Sequence, residues 1–189
     1  MKKSIGPKTF LGAVPVLLVG SYDEKNKPNL MTCAWGGICC SEPPCINISL
    51  RKNRYSYNGI NSKKAFTVNI PFSDQTKEAD YYGIVSGANY NKFEDTEITP
   101  IKSDLVDAPY GKEFPIVVEC KVINQIELGS HVQFIGEVLD VKIEESLLDK
   151  EDNIVGEKLD PIMSIPVISE YFALGKYIGK GFTIGKDLS

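Results

Sequence analysis

The chain has 189 residues, 42% of them hydrophobic and 24% charged, with a net charge of −4 and a pI near 5.2. That composition excludes wholesale disorder and fits one domain over residues 1–189, large enough to bury a core without a staple. The acidic balance supplies no overall basic footprint for nucleic acid, and no run reaches the roughly 20 apolar residues of a membrane span.

Met1 to Gly12 carries three lysines but no long apolar stretch, so it does not read as a signal peptide. Val14 to Ser21 is nearly all apolar and reads as one buried strand. Asp23 to Pro28 is its turn, and Asn29 to Gly37 is a second extended piece. Four of the five cysteines follow at Cys33, Cys39, Cys40 and Cys45, with Cys120 apart. Their spacing matches no paired metal motif, so no metal site is expected and the thiols read as structural. With no export signal, reduced thiols and a cytoplasmic location are the expectation.

Cys45 to Leu50 alternates, with Ile46, Ile48 and Leu50 on one face and Asn47 and Ser49 on the other. Tyr55 to Lys64 is a short polar helix. Phe66, Val68 and Ile70 alternate with Thr67 and Asn69 on a further strand. Asp74 to Val85 reads as a helix with Ala79, Tyr82 and Val85 at helical spacing and Asp74 as its cap. Ile116, Val118, Cys120, Val122 and Ile126 share one face of a long strand. Val132 to Ile143 changes apolar phase near Val138 and Leu139, the signature of a bulge or bend. Glu144 to Ser164 reads mostly as turn and loop. The fold class is therefore mostly β, a barrel with a few helices outside it.

Several chemistries are excluded. No GxGxxG follows a strand, and no phosphate-binding GxxxxGK[ST] loop is present. His131 is the only histidine, so multi-histidine metal sites are impossible, and no GxSxG elbow supports a serine triad. What remains is a polar set on strands and turns. Arg51 and Arg54 precede Ser56 at a helix start, where free N–H groups and the helix dipole suit an anion. Ser86 and Gly87 follow the second helix, and Lys92 adds a point charge. A plainer reading makes Ser56 an N-cap, Gly87 a C-cap and Arg51 and Lys92 solvated. Trp35, beside Gly36 and Gly37, either meets a planar ligand or is an ordinary core indole.

In order along the chain stand Lys27-Pro28-Asn29-Leu30-Met31-Thr32-Cys33-Ala34-Trp35, Pro43-Pro44-Cys45-Ile46-Asn47-Ile48-Ser49-Leu50-Arg51, Ala65-Phe66-Thr67-Val68-Asn69-Ile70-Pro71, Ser86-Gly87 with Lys92-Phe93, and Leu128-Gly129-Ser130-His131. The ordered set resembles the flavin reductase-like family of FMN-binding split barrels, and within it the flavoredoxin group. The resemblance implies a homodimeric split β-barrel with FMN near the subunit interface. It implies that Asn29 and Met31, Thr32, Cys33, Ala34 and Trp35 line the isoalloxazine, and that Ser49, Leu50, Arg51 and Ser56 approach the ribityl chain and phosphate. Ser86, Gly87 and Lys92 would complete the phosphate site, and His131 would lie near the flavin. No catalytic residue beyond the flavin is implied. Two functions fit: hydride transfer from NADH or NADPH through FMN, or electron exchange with a redox protein partner without turnover of NAD(P)H. A plain ligand-binding barrel is the third and more distant class.

Overall fold

The computed structural model describes residues 1–188. Among them the strands are β1 (Val14–Pro15), β2 (Leu17–Tyr22), β3 (Pro28–Cys33), β4 (Gly36–Ser41), β5 (Pro44–Leu50), β6 (Ala65–Ile70), β7 (Pro100–Lys102), β8 (Pro109–Gly111), β9 (Ile116–Leu128), β10 (His131–Ile143), β11 (Ile162–Ile165) and β12 (Glu170–Ala173). The helices are α1 (Tyr55–Lys63), α2 (Thr76–Ile84) and α3 (Lys92–Asp95). Among the described residues no helix is long and apolar enough to cross a membrane, and no group of His, Cys, Asp or Glu is arranged to hold a metal ion.

The main sheet has the order β3-β2-β6-β9-β10-β5-β4. Consecutive strands β3 and β4 therefore lie at opposite ends of it. Only Ala34 and Trp35 connect them, so the sheet must curl until its ends meet. They meet incompletely: Ser49 N–H donates to Trp35 O at 2.7 Å, carrying the β4–β5 ladder into the connection, and from β3 the Cys33 thiol approaches Ser49 O at 4.0 Å. The result is the expected split barrel, open along a seam between β3 and β5. The expected single extended piece from Asn29 to Gly37 is thus two strands, broken where the chain crosses this seam.

The barrel interior is filled by Leu17, Val19, Ile48, Leu50, Phe66, Val68, Cys120 and Phe134, among others. A second core lies outside the wall, where Val16, Leu18 and Leu30 meet Ala79 and Tyr82 of α2 and Phe93 of α3. The wall at β2 is buried on both faces, which explains why Val14 to Ser21 is nearly all apolar. That stretch is nevertheless two strands. Pro15 has no N–H for a continuous ladder, β1 pairs with β11 in a separate sheet, and Val16 N–H turns to Ile162 O at 3.2 Å.

Other differences have similar causes. Thr67 and Asn69 are fully buried, because the β7–β8 hairpin covers them. Thr67 Oγ1 donates to Pro109 O at 2.6 Å, and Gly111 N–H donates to Asn69 Oδ1 at 2.9 Å. Ile126 is 41% exposed, since β9 runs past the core and its register slips opposite Ile135 and Gly136. A second slip between Val138 and Asp140 is the expected phase change. A 3-10 turn over Ser73–Gln75 precedes α2, so Asp74 is not its cap. The Glu144 to Ser164 segment ends in a strand that pairs with both β1 and β12.

Candidate functional site

The seam opens into a cleft of about 700 Å³. One wall is the end of β3 and its exit, Met31, Thr32, Cys33, Ala34 and Trp35; the other is Ser49, Leu50 and Arg51 at the end of β5. The β9–β10 turn closes one side with Leu128, Ser130 and His131, and Thr9 and Arg54 complete the lining. A smaller cleft of about 200 Å³ shares Met31, Thr32 and Arg54 with it and is otherwise lined by Asn29, Asn53, Ser56, Ser86, Gly87 and Lys92, with Tyr55 and the end of α2. Every residue expected at the site lines one of these two adjoining clefts.

The division between them differs in part from expectation. Asn29 lines the small cleft together with Met31 and Thr32 and does not line the wide one. Ser49 and Arg51 line the wide cleft and do not reach the small one. The reason is topological: the start of β3 lies against α1, and its end opens onto the seam.

Trp35 is 42% exposed, not a core indole. Its ring meets that of His131 edge-on, with centroids 6.3 Å apart and planes at 71°. The Ser130 hydroxyl and His131 Nδ1 share a hydrogen bond at 2.8 Å. Cys33 is buried, and burial pushes its thiol up to about 11, so it stays protonated at neutral pH and does not act as a nucleophile. The Thr32 hydroxyl is committed to Ala79 O on α2.

The small cleft holds a cation of unusual kind. Lys92 is only 3% exposed, not solvated. It opens α3, and its Nζ donates to Leu30 O at 2.9 Å and Tyr82 O at 2.8 Å. Two carbonyls satisfy two of its three donors but carry no full negative charge. Burial first, and then the nearby Arg54 guanidinium, hold Lys92 down to about 8. Two cations thus share a cleft with no carboxylate between them, which is the electrostatics of an anion site. Ser56 is not an N-cap: Arg54 holds that position, and Ser56 Oγ instead accepts from Asn29 Nδ2 at 2.9 Å. Gly87 is not a C-cap either, since α2 ends at Ile84 and Val85 caps it. It is glycine because a Cβ there would lie 2.2 Å from Asn29 Oδ1 and 2.6 Å from the Tyr55 ring.

Arg54 was legible beside Ser56 as a cation near a helix start. Thr9 carried no signal, because only the folded path of the N-terminal segment brings it to the seam.

Residues 12–158 match the model of the flavin reductase like domain. Flavoredoxin of Desulfovibrio vulgaris (Miyazaki F) is 47% identical, covering 98% of this chain and 100% of its own, with a TM-score of 0.94. Flavoredoxin from Methanosarcina acetivorans is 30% identical over the full length of both, with a TM-score of 0.92. An uncharacterised protein of Archaeoglobus fulgidus is 29% identical, covering 83% of this chain and 81% of its own.

Proposed function

Since the chain belongs to the flavin reductase-like domain family, and so is a flavin-binding redox protein, we propose that its flavin is FMN, held along the seam with its phosphate in the small cleft. The observation that carries the choice of FMN is Lys92. A buried ammonium satisfied only by carbonyls, beside a second cation, fits a phosphate and has no purpose for a flavin without one. The close packing of Gly87 on Asn29 and the Tyr55 ring supports the same reading, because a Cβ there would push these cleft residues out of place.

Bound flavin supplies the redox chemistry by accepting and releasing hydride or electrons. The protein's part is position and charge. Lys92 and Arg54 balance the phosphate. Trp35 offers an exposed aromatic surface to a planar ring. His131, held by Ser130, contributes a hydrogen bond in the wide cleft, and protons come from solvent. The chain acts as one domain, as a homodimer, in the cytoplasm; all five cysteines are free thiols, in keeping with a reducing compartment. NADH or NADPH is the donor on the reductase reading, and a redox protein is the partner on the electron-carrier reading.

The test is direct. Purified protein should be yellow, or become so on titration with FMN, and should bind riboflavin far more weakly. Colourless protein without affinity for FMN refutes the proposal. Anaerobic mixing with NADH or NADPH then separates the two redox readings: rapid bleaching marks a reductase, and no bleaching marks a carrier.

A further inference from the structure

β4 and β5 form a hairpin joined by Glu42 and Pro43, and its register sets Cys40 opposite Cys45. The ladder slips between Ile38 and Cys40. Cys39 is therefore the extra residue of a bulge beside the same pair. Cys39 and Cys40 are exposed, while Cys45 is 3% exposed. The register puts the Cys40 and Cys45 side chains on the same face of the hairpin. Both also turn toward the same end of the hairpin: Cys40 Sγ donates to Glu42 O and Cys45 Sγ to Pro43 O, each at 3.4 Å. Burial, then Cys40, Cys39 and Glu137, push the Cys45 thiol up. Opposed residues of an antiparallel pair have Cα atoms about 4.5–5.5 Å apart, inside the roughly 4.4–6.8 Å that a disulfide spans. The register thus brings the two cysteines within the Cα separation that a disulfide spans.

We propose that Cys40 and Cys45 are a reversible dithiol–disulfide pair, oxidised by small-molecule disulfides. Exposed Cys40, as thiolate, attacks one sulfur of the small disulfide, and the other sulfur leaves as a thiolate that takes a proton from solvent. Cys45 then loses its proton to solvent and attacks the Cys40 sulfur of the mixed disulfide, expelling the second small thiolate. Two protein thiols become one disulfide and the small disulfide becomes two thiols, so atoms and electrons balance with no further oxidant. The order follows exposure, since the outside reagent reaches Cys40 and not buried Cys45. The closed bond clamps β4 to β5, the strand that carries Ser49 to Arg51 into the wide cleft. This pair stands independently of which flavin is bound.

The test equilibrates the full chain in glutathione buffers of graded oxidised-to-reduced ratio, quenches with acid, alkylates free thiols and maps the digest by mass spectrometry. Cys40 and Cys45 should lose alkylation together, in an intrachain cross-link lighter by two hydrogen atoms and reversed by dithiothreitol. Cys33 and Cys120, both buried, should remain alkylated after unfolding. Cys39→Ser should leave the cross-link intact. Cys40→Ser, a change at an exposed position, should abolish it, and Cys45→Ala should trap glutathione on Cys40. A cross-link through Cys39, a bond between two chains, or separate glutathione adducts on Cys40 and Cys45 of the unaltered protein would each overturn the proposal.

Discussion

Asn29 Nδ2 donates to Ser56 Oγ at 2.9 Å inside the fold, tying the start of β3 to the first turn of α1. Gly87 packs against the same amide, with its missing Cβ only 2.2 Å from Asn29 Oδ1. Three segments distant in sequence thus share one point of the small cleft. Gly87→Ala should force them apart, costing about 1–3 kcal/mol of stability as overpacking does. FMN affinity should fall on the order of tenfold, about 1.4 kcal/mol. Urea denaturation and FMN titration measure both, and an unchanged affinity would separate this contact from the flavin site.

Lys92→Met keeps the side-chain bulk and removes the charge. FMN binding should weaken by about 1.5–3 kcal/mol, the range for a hydrogen bond to a charged group, while riboflavin binding stays level. The pH dependence has a worked sign. Lys92 is held down to about 8 against the ordinary lysine value of 10.5, so in that window the unfolded chain holds the proton that the folded chain has lost. Stability of the flavin-free protein therefore rises with pH between these values. FMN affinity falls over the same window, because phosphate favours the charged ammonium. Lys92→Met should flatten both trends. Parallel pH curves for the two proteins would show that Lys92 does not titrate there.

Trp35 provides the opposite contrast. It is 42% exposed, so Trp35→Ala should leave the urea midpoint nearly unchanged. It should weaken FMN and riboflavin alike, by about 0.5–1.5 kcal/mol for a lost aromatic contact. Selective loss of FMN would place Trp35 with the phosphate and not the ring.

His131→Gln retains hydrogen-bonding capacity without an imidazole charge. The variant should keep FMN and remain reducible, with a modest change in potential. A general acid is typically worth ~100-fold or more in rate. Flavin reduction followed from about pH 5.5 to 8.5, a range that brackets imidazole titration in general, distinguishes the two roles. A rate loss of that size with FMN still bound would make His131 the proton donor.

A homodimer is expected in solution. Around the seam Ile38 is 86% exposed and Leu128 52%, apolar surface that a second copy related by a two-fold axis would cover. Sedimentation equilibrium at micromolar protein should give about twice the 20.9 kDa chain mass. A species of single-chain mass alone would reject it.

Much of the frame was legible because it rests on local periodicity. Ile48 and Leu50 fall on the buried face of β5, α1 spans Tyr55–Lys63, and the β10 ladder slips at Val138, all from side-chain alternation and helical spacing. The fourteen expected site residues all line the two clefts and were legible through the ordered resemblance and not through any one motif, whereas Thr9 was not. Alternation could not reveal that Thr67 and Asn69 are buried, since their cover comes from the β7–β8 hairpin some 40 residues away.

The order of residues alone carries the strand-rich class, the turns, the lack of nucleotide-loop and multi-histidine motifs, and the ordered set of polar residues. Those follow from backbone preference and side-chain type, which act over a few residues. It takes the folded sheet to show that Ala34 and Trp35 bridge its opposite edges, and so where the seam opens. The fold alone turned Lys92 from an apparently solvated lysine into a buried cation held by Leu30 O and Tyr82 O beside Arg54. The physical reason is that desolvation and charge depend on what every other segment places nearby, which no local pattern records.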